Sequence, residues 1–456
     1  MSDLPVVVIG AGPQGLAAAA HLVERGLEPL VLERGASAGA AVAEWGHVRL
    51  FSAWPELVDP ASQRLLEATG WAVPTGGYPT GAEWVDGYLA PLASALGDGV
   101  GDGTPIRVRY RVEVTGISRH NRDKTVDDGR SEQAFTVHTV DATGREGRVL
   151  ARAVIDAGGT WSQPNPAGGD GLPAVGETAA ADRISYRIPD DVSSFAGRHV
   201  AVIGSGHSAA HAVLRLTDLA RREPGTRVTW MLRRSAPHAD GGAADALPQR
   251  AALGVRTRRA REKGLVDVVG GFRVAEFRVE TDGVTVVSDD GRAISVGQVF
   301  ALTGFRPDTG ILRELRIDLD PALEAVAGIA REIDPNIHSC GTVAATGARE
   351  LAQPEPGFFI VGAKSYGRAP TFLALTGYEQ VRSVVAHLAG DHAAAARTEL
   401  VLPETGVCGG SGSFDGGTDG GTDAGCCATP LLQIGSATAP GGVPVPGPPA
   451  DERMTI

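Results

Sequence analysis

Pro5-Val6-Val7-Val8-Ile9-Gly10-Ala11-Gly12-Pro13-Gln14-Gly15 stands near the start of the chain and decides how the rest is read. The apolar run Val6 to Ile9 is short, β-branched and bounded by glycine, the signature of a strand buried on both faces. The glycines then form a G-x-G-x-x-G turn into an Ala-rich helix running through Leu16 to Arg25, which Gly26 stops. The three glycines meet separate steric demands. Gly10 makes the tight turn, Gly12 lets backbone approach a pyrophosphate, and Gly15 lets the helix pack close to the strand. Pro13 and Gln14 occupy the helix start, where unpaired backbone amides attract phosphate. The next strand, Leu30-Val31-Leu32-Glu33, delivers a carboxylate about twenty residues beyond the glycines, the place from which an acid accepts hydrogen bonds from a ribose 2′-hydroxyl. With Arg34 beside it, this set makes a first candidate dinucleotide site.

A second unit repeats the design. Arg198-His199-Val200-Ala201-Val202-Ile203 leads into Gly204-Ser205-Gly206-His207-Ser208-Ala209, with Ala209 in the third glycine's place, which the fingerprint allows. A helix from about Ser208 to Arg222, a Pro224-Gly225 break and a strand Arg227 to Leu232 follow. This strand ends in Arg233-Arg234, and a guanidinium pair suits a 2′-phosphate that a carboxylate would repel. The first loop is therefore expected to hold an adenosine diphosphate group with a free 2′-hydroxyl, and the second NADPH. Between and after the units, Arg107 to Val114, Gln133 to Val140, Val149 to Asp156, Phe272 to Val287 and Gln298 to Leu302 read as strands. The class is α/β, with two Rossmann-like three-layer domains.

Composition narrows the partners. The 456 residues hold 42 Lys plus Arg against 54 Asp plus Glu, a net charge of -12, so there is no basic field for nucleic acid or an anionic leaflet. No apolar run reaches the roughly 18 residues of a spanning helix, and no basic segment precedes Val6, so a cytoplasmic protein is expected. Cys340, Cys408, Cys426 and Cys427 are too few and too scattered for a disulfide framework. Residues 401–456 are rich in Gly and Pro and read as a disordered tail. Its Cys408, Cys426 and Cys427 are candidate ligands for a thiophilic ion such as zinc, copper(I) or trivalent arsenic. An easily reduced Cys426–Cys427 disulfide and incidental thiols are the other readings.

An acid-tipped loop near the start and an Arg-tipped loop midway resemble the flavoproteins with two dinucleotide-binding domains, in which FAD takes the first site and NADPH the second. Val154-Ile155-Asp156-Ala157-Gly158-Gly159-Thr160-Trp161 resembles the first chain crossing of that group, with Gly158 where a threonine is usual, and Ala301-Leu302-Thr303-Gly304-Phe305-Arg306-Pro307 resembles the second. Gly357-Phe358-Phe359-Ile360-Val361-Gly362, leading to a helix with Thr376 and Gln380, resembles the strand and helix that return to the flavin; its usual Gly-Asp pair is Gly362-Ala363 here. The resemblance implies that Gly159, Thr303, Gly304, Gly362, Thr376 and Gln380 border the cofactors, with Trp45 and Arg49 beside the ring or its pyrophosphate. It further implies an FAD domain of residues 1–165 and 335–400, an inserted NADPH domain of 190–310, and linkers at 166–189 and 311–334.

Reduced flavin sends electrons to a disulfide or to oxygen, and disulfide reductases of this architecture carry a C-x-x-C beside the flavin. This chain has none. It resembles instead the flavin monooxygenases in which a C4a-hydroperoxide gives one oxygen atom from O2 to a soft nucleophile or a carbonyl, although their F-x-G-x-x-x-H linker is replaced by Gly176 to Pro189. Lys364, Tyr366, Arg368, Gln163 and Asn165 are then the candidates for polar contact with substrate, flavin or nicotinamide, and His47 reads as a structural histidine. The Lys364 to Phe372 run and the Leu402 to Cys408 run resemble the flavin monooxygenases of actinobacterial arsenic-resistance clusters, which implies an arsenical or another soft S or N centre as acceptor. Two other readings stay open: an NADPH-dependent reductase of a metalloid or disulfide, and a non-enzymatic metalloid-binding flavoprotein.

Overall fold

The computed structural model describes residues 3–98, 107–235, 247–337, 345–369 and 372–400. Along the chain its strands are β1 (Val6–Ile9), β2 (Pro29–Leu32), β3 (Val108–Arg109), β4 (Val112–Arg119), β5 (Phe135–Asp141), β6 (Glu146–Ala151), β7 (Ala153–Asp156) and β8 (Ile184–Ser185). Then come β9 (His199–Ile203), β10 (Arg227–Met231), β11 (Asp267–Val269), β12 (Val274–Glu280), β13 (Gly283–Ser288), β14 (Ala293–Val296), β15 (Gln298–Ala301) and β16 (Phe358–Ile360).

Two parallel sheets result, ordered β16-β7-β1-β2-β3 and β11-β10-β9-β15-β8. Every strand of the second falls between β7 and β16 of the first, so the chain leaves the first sheet, builds the second and returns. Register decides where the loops go. Ile9 lies opposite both Leu32 and Asp156, and Asp156 opposite Ile360, so four strand ends converge on one edge. Ile203 lies opposite Met231 and Ala301 in the second sheet, gathering three ends there. Ligands of open α/β sheets bind at such carboxyl edges.

β1 is buried throughout, as an unbroken Val-Val-Val-Ile run requires, with the Pro13–Glu24 helix packed against it. The Pro13–Glu24 helix carries Pro13 in its first turn and buries Leu16 through Leu22. Its neighbour Ala374–Leu388 is buried along nearly its whole length. The His207–Arg222 helix packs Ala209, Val213 and Leu216 onto the second sheet, and Pro248–Glu262 lies against it.

The structure corrects three expectations. The run Arg107 to Val114 is two strands, not one: Arg111 takes φ 58°, so β3 completes the first sheet while β4 opens an antiparallel ribbon β4-β5-β6. Val149 to Asp156 likewise divides at Arg152 between that ribbon and β7. The expected linkers are packed segments. Leu312, Leu315, Val326, Ile329 and Ile333 are buried in the first core, while Ala167, Ala174, Ala180 and Ile184 join the second with the ribbon β12-β13-β14. The resemblance implied that these stretches are connections, but their spaced apolar residues are what bury them. The expected tail, 401–456, lies outside the described residues, as do all four cysteines.

Candidate active site

The first loop has the steric features of a phosphate cradle. Gly10 takes φ +94°, and a Cβ on Gly15 would collide with the Gly10 carbonyl, so a side chain at either place deforms the turn. Gly12 caps the Pro13–Glu24 helix in extended conformation, and nothing lies within 4 Å of where its Cβ would stand. That open volume adjoins the unpaired amides and positive dipole end of the helix, so the loop fits a pyrophosphate. Glu33 is half-buried. Its Oε2 accepts from the Ala11 amide at 2.7 Å and its Oε1 from Gly35 at 2.6 Å, so the carboxylate is oriented and each oxygen keeps a second lone pair for a ribose hydroxyl. Arg34 points elsewhere, pairing with Glu113 at 3.5 Å on the surface.

The second loop is built the same way from different neighbours. Gly204 takes φ +121°, where a Cβ would strike the Leu302 carbonyl, and the buried Trp230 indole donates to the Gly204 oxygen at 2.7 Å. Gly206 caps the His207–Arg222 helix beside open space, Ala209 is fully buried beneath it, and Ser205 and His207 are exposed with Ser208 half-buried. Arg233 and Arg234 leave the end of β10 near the Gly169 carbonyl, which Arg233 reaches at 3.3 Å. The loop thus fits a second dinucleotide, with guanidinium groups at the strand end.

The two crossings are tied to each other. The backbone amide of Asn165 donates to the Gly304 carbonyl at 2.9 Å, its side-chain Nδ2 to Thr303 O at 3.0 Å, and Thr303 Oγ1 back to Asn165 O at 2.8 Å. Arg306 Nε donates to Asn165 Oδ1 at 2.8 Å, so the Asn165 side chain, a candidate for contact with reacting groups, is committed to holding the crossings together. Gln163 is exposed. Trp161 stacks on Phe305 with ring centroids 4.6 Å apart and donates to Glu44 at 3.0 Å.

Behind the first crossing lies the main departure from the sequence-based site. Lys364, expected to contact substrate or flavin, is buried and places Nζ 2.6 Å from Asp156 Oδ2, and the other Asp156 oxygen accepts from the Gly158 amide at 3.0 Å. A buried ammonium needs a counter-charge, and the one present belongs to the strand end. Gln380, fully buried, accepts from the Gly362 amide at 2.8 Å and donates to Thr346, so it fixes the returning loop from behind. Gln14 packs between Gly362 and Gly377. Thr376 is buried in the first turn of the returning helix. Tyr366 is buried, stacked edge-on to Phe372, with its hydroxyl unpartnered and the Thr376 hydroxyl close by outside hydrogen-bonding geometry; burial raises its pKa, so it stays a donor. Arg368 pairs with Glu324 at 3.7 Å near the surface. Gly159, at φ +66°, and Gly304, at φ +93°, turn the two crossings.

Trp45 packs on Gly81, and Arg49 reaches the Tyr78 carbonyl and pairs with Glu83 at 3.9 Å. His47 lies 3.6 Å from Asp190, its pKa lowered by burial and by Arg215. Among the described residues no group of three or more His, Cys, Asp or Glu side chains is placed to hold a metal, and no helix is long and apolar enough to cross a membrane.

Residues 4–357 match the family model described as pyridine nucleotide-disulphide oxidoreductase. The fold is similar to that of bacillithiol disulfide reductase from Bacillus cereus, with 21% identity, TM-score 0.62, and coverage of 85% of this chain and 99% of that one. It is also similar to a flavin-containing monooxygenase from Stenotrophomonas maltophilia, with 25% identity, TM-score 0.52, and coverage of 85% and 100%. For ornithine hydroxylase from Pseudomonas aeruginosa the values are 19% identity, TM-score 0.55, and 84% and 99%. A 47-residue stretch is 47% identical to thiamine thiazole synthase from Pyrobaculum calidifontis, spanning 10% of this chain and 18% of that relative.

Proposed function

The chain belongs to the pyridine nucleotide-disulphide oxidoreductase family, its cofactors are FAD and NADPH, and from that premise we propose that it is a monooxygenase. NADPH, a proton and O2 are consumed, one oxygen atom goes to a soft nucleophilic As, S or N centre or to a carbonyl, and the other leaves as water. Bound FAD supplies the redox chemistry, taking hydride from NADPH and passing the electrons to dioxygen. The protein supplies binding and orientation. Gly12 and the Pro13–Glu24 helix start hold the flavin nucleotide's pyrophosphate, Glu33 its ribose, and Arg233 with Arg234 the 2′-phosphate of NADPH. Asp156, Lys364 and Gln380 fix the loops around the first site, and Trp161 on Phe305 keeps water from the space between the crossings.

The observation that carries the reading is the pairing of two phosphate loops of opposite strand-end charge with a sequence that has no C-x-x-C to receive electrons. The reading also places residues 1–165 and 311–400 with FAD and 166–310 with NADPH, in a protein working in the cytoplasm. The test is oxygen uptake by FAD-loaded protein with NADPH across arsenicals, sulfides, amines and ketones, with 18O2 labelling of the product. Uptake accelerated by one class, with one labelled oxygen in its product, supports the assignment. NADPH consumption that ignores oxygen and follows an added disulfide or metalloid, and stops on deletion of residues 403–456, replaces it with a reductase.

A further inference from the structure

A cavity of about 240 Å3 lies between the first body's segment His47 to Phe51 and the outer faces of the His207–Arg222 and Pro248–Glu262 helices. Of the two phosphate loops only His207 comes near it, against Phe51 of its wall, and Arg233 and Arg234 do not line it. Buried polar atoms without a partner are rare in native proteins, and each calls for an explanation. Five occur among the described residues, and three of them, His47 Nε2, His211 Nε2 and Arg215 Nε, belong to side chains lining this one cavity.

Three guanidinium groups, those of Arg49, Arg215 and Arg256, line it with one carboxylate, Asp218; Arg49 pairs with Glu83 at 3.9 Å and Arg215 with the exposed Asp190 at 3.8 Å, while Asp218 lies 3.6 Å from Arg221. The opposite wall is apolar, with Phe51 stacked on His211 at 6.1 Å and set edge-on to His207 at 5.1 Å, and Leu214 and Leu253 alongside. Burial holds the His211 imidazole neutral, so the cationic wall is the arginines' alone.

We propose that this cavity binds a small amphipathic oxyanion, its carboxylate or phosphonate head on Arg215 and Arg256 and its apolar body against Phe51, at a site separate from both dinucleotides. Guanidinium recognises either head bidentately, and the aromatic wall recognises the body. The proposal stands apart from the monooxygenase reading, because binding is measured without turnover.

Calorimetry of the FAD-loaded protein with benzoate, phenylphosphonate and the neutral isostere benzamide tests it. Benzoate or phenylphosphonate is expected to bind at one site per chain, benzamide at least tenfold more weakly, and saturating NADP+ to leave the affinity unchanged. Arg256→Gln, a surface change that spares the fold, and Arg215→Gln should each weaken binding about tenfold or more. Preference between the two anions tells a carboxylate ligand from a phosphorylated one. Absence of heat with both anions, binding unaffected by either substitution, or displacement by NADP+ overturns the proposal.

Discussion

Replacing Lys364 with methionine separates a structural cation from a catalytic one. The side chains of Lys364 and Asp156 are 4% and 0% exposed, and Nζ stands 2.6 Å from Oδ2. Methionine keeps most of the lysine's volume and removes its charge, leaving the Asp156 carboxylate buried on the Gly158 amide alone. Breaking one side of a buried pair costs about 3–5 kcal/mol, mostly the penalty of the stranded ion. Asp156→Asn added to Lys364→Met removes that ion and should recover about half the loss or more. The assay is urea unfolding of the FAD-loaded protein followed by tryptophan fluorescence, alongside flavin absorbance and NADPH oxidation. The expected pattern is a much lower midpoint for the single variant, partial recovery in the double, and turnover that tracks bound flavin. A Lys364→Met protein within about 1 kcal/mol of the parent that keeps its flavin and loses turnover would refute this, and return Lys364 to the reacting groups.

Two further outcomes follow from the same geometry. Arg233→Ala with Arg234→Ala should lower the ratio of kcat/KM for NADPH over NADH by about 10- to 100-fold, since a charge-assisted hydrogen bond contributes about 1.5–3 kcal/mol, and an unchanged ratio rejects the 2′-phosphate assignment. His211 titrates at about 4 instead of 6.5, first through burial and then through His207, Arg256, His47 and Arg215. The unfolded chain therefore takes up the proton first, and stability falls as pH drops from about 6.5 to about 4, by up to about 3 kcal/mol from this group. His211→Gln should flatten that slope in urea midpoints measured from pH 7 to 4.5; equal slopes in the two proteins contradict the burial argument.

What was legible in the sequence is what sterics and strand-end charge write locally. Gly10, Gly12 and Gly15 can be read because a phosphate turn excludes side chains there, and Glu33 and Arg233 because strand length fixes their distance from the glycines. Chain breaks without glycine or proline were not legible: Arg111 and Arg152 each pass the chain from one sheet to another inside a continuous apolar pattern. The same limit hid Lys364, whose partner lies 208 positions away. Nothing local marks a lysine as a counter-ion, so its place beside a flavin-facing helix suggested chemistry. Asn165 was placed correctly at a crossing, but its engagement by Thr303 and Arg306 depends on a contact about 140 residues distant. The cavity between His47 and Arg256 draws on four separate segments, and only the packed chain brings them together.

The Asn165 and Thr303 tie has an evolutionary consequence. The insert enters and leaves through a single pinched neck, so its two ends lie side by side, and excising or exchanging everything between them asks the remainder to close only a short gap. A coenzyme module wired in this way behaves as a cassette: duplication, swapping or loss can act on it as one piece, while the parent sheet keeps its strands and its own nucleotide turn.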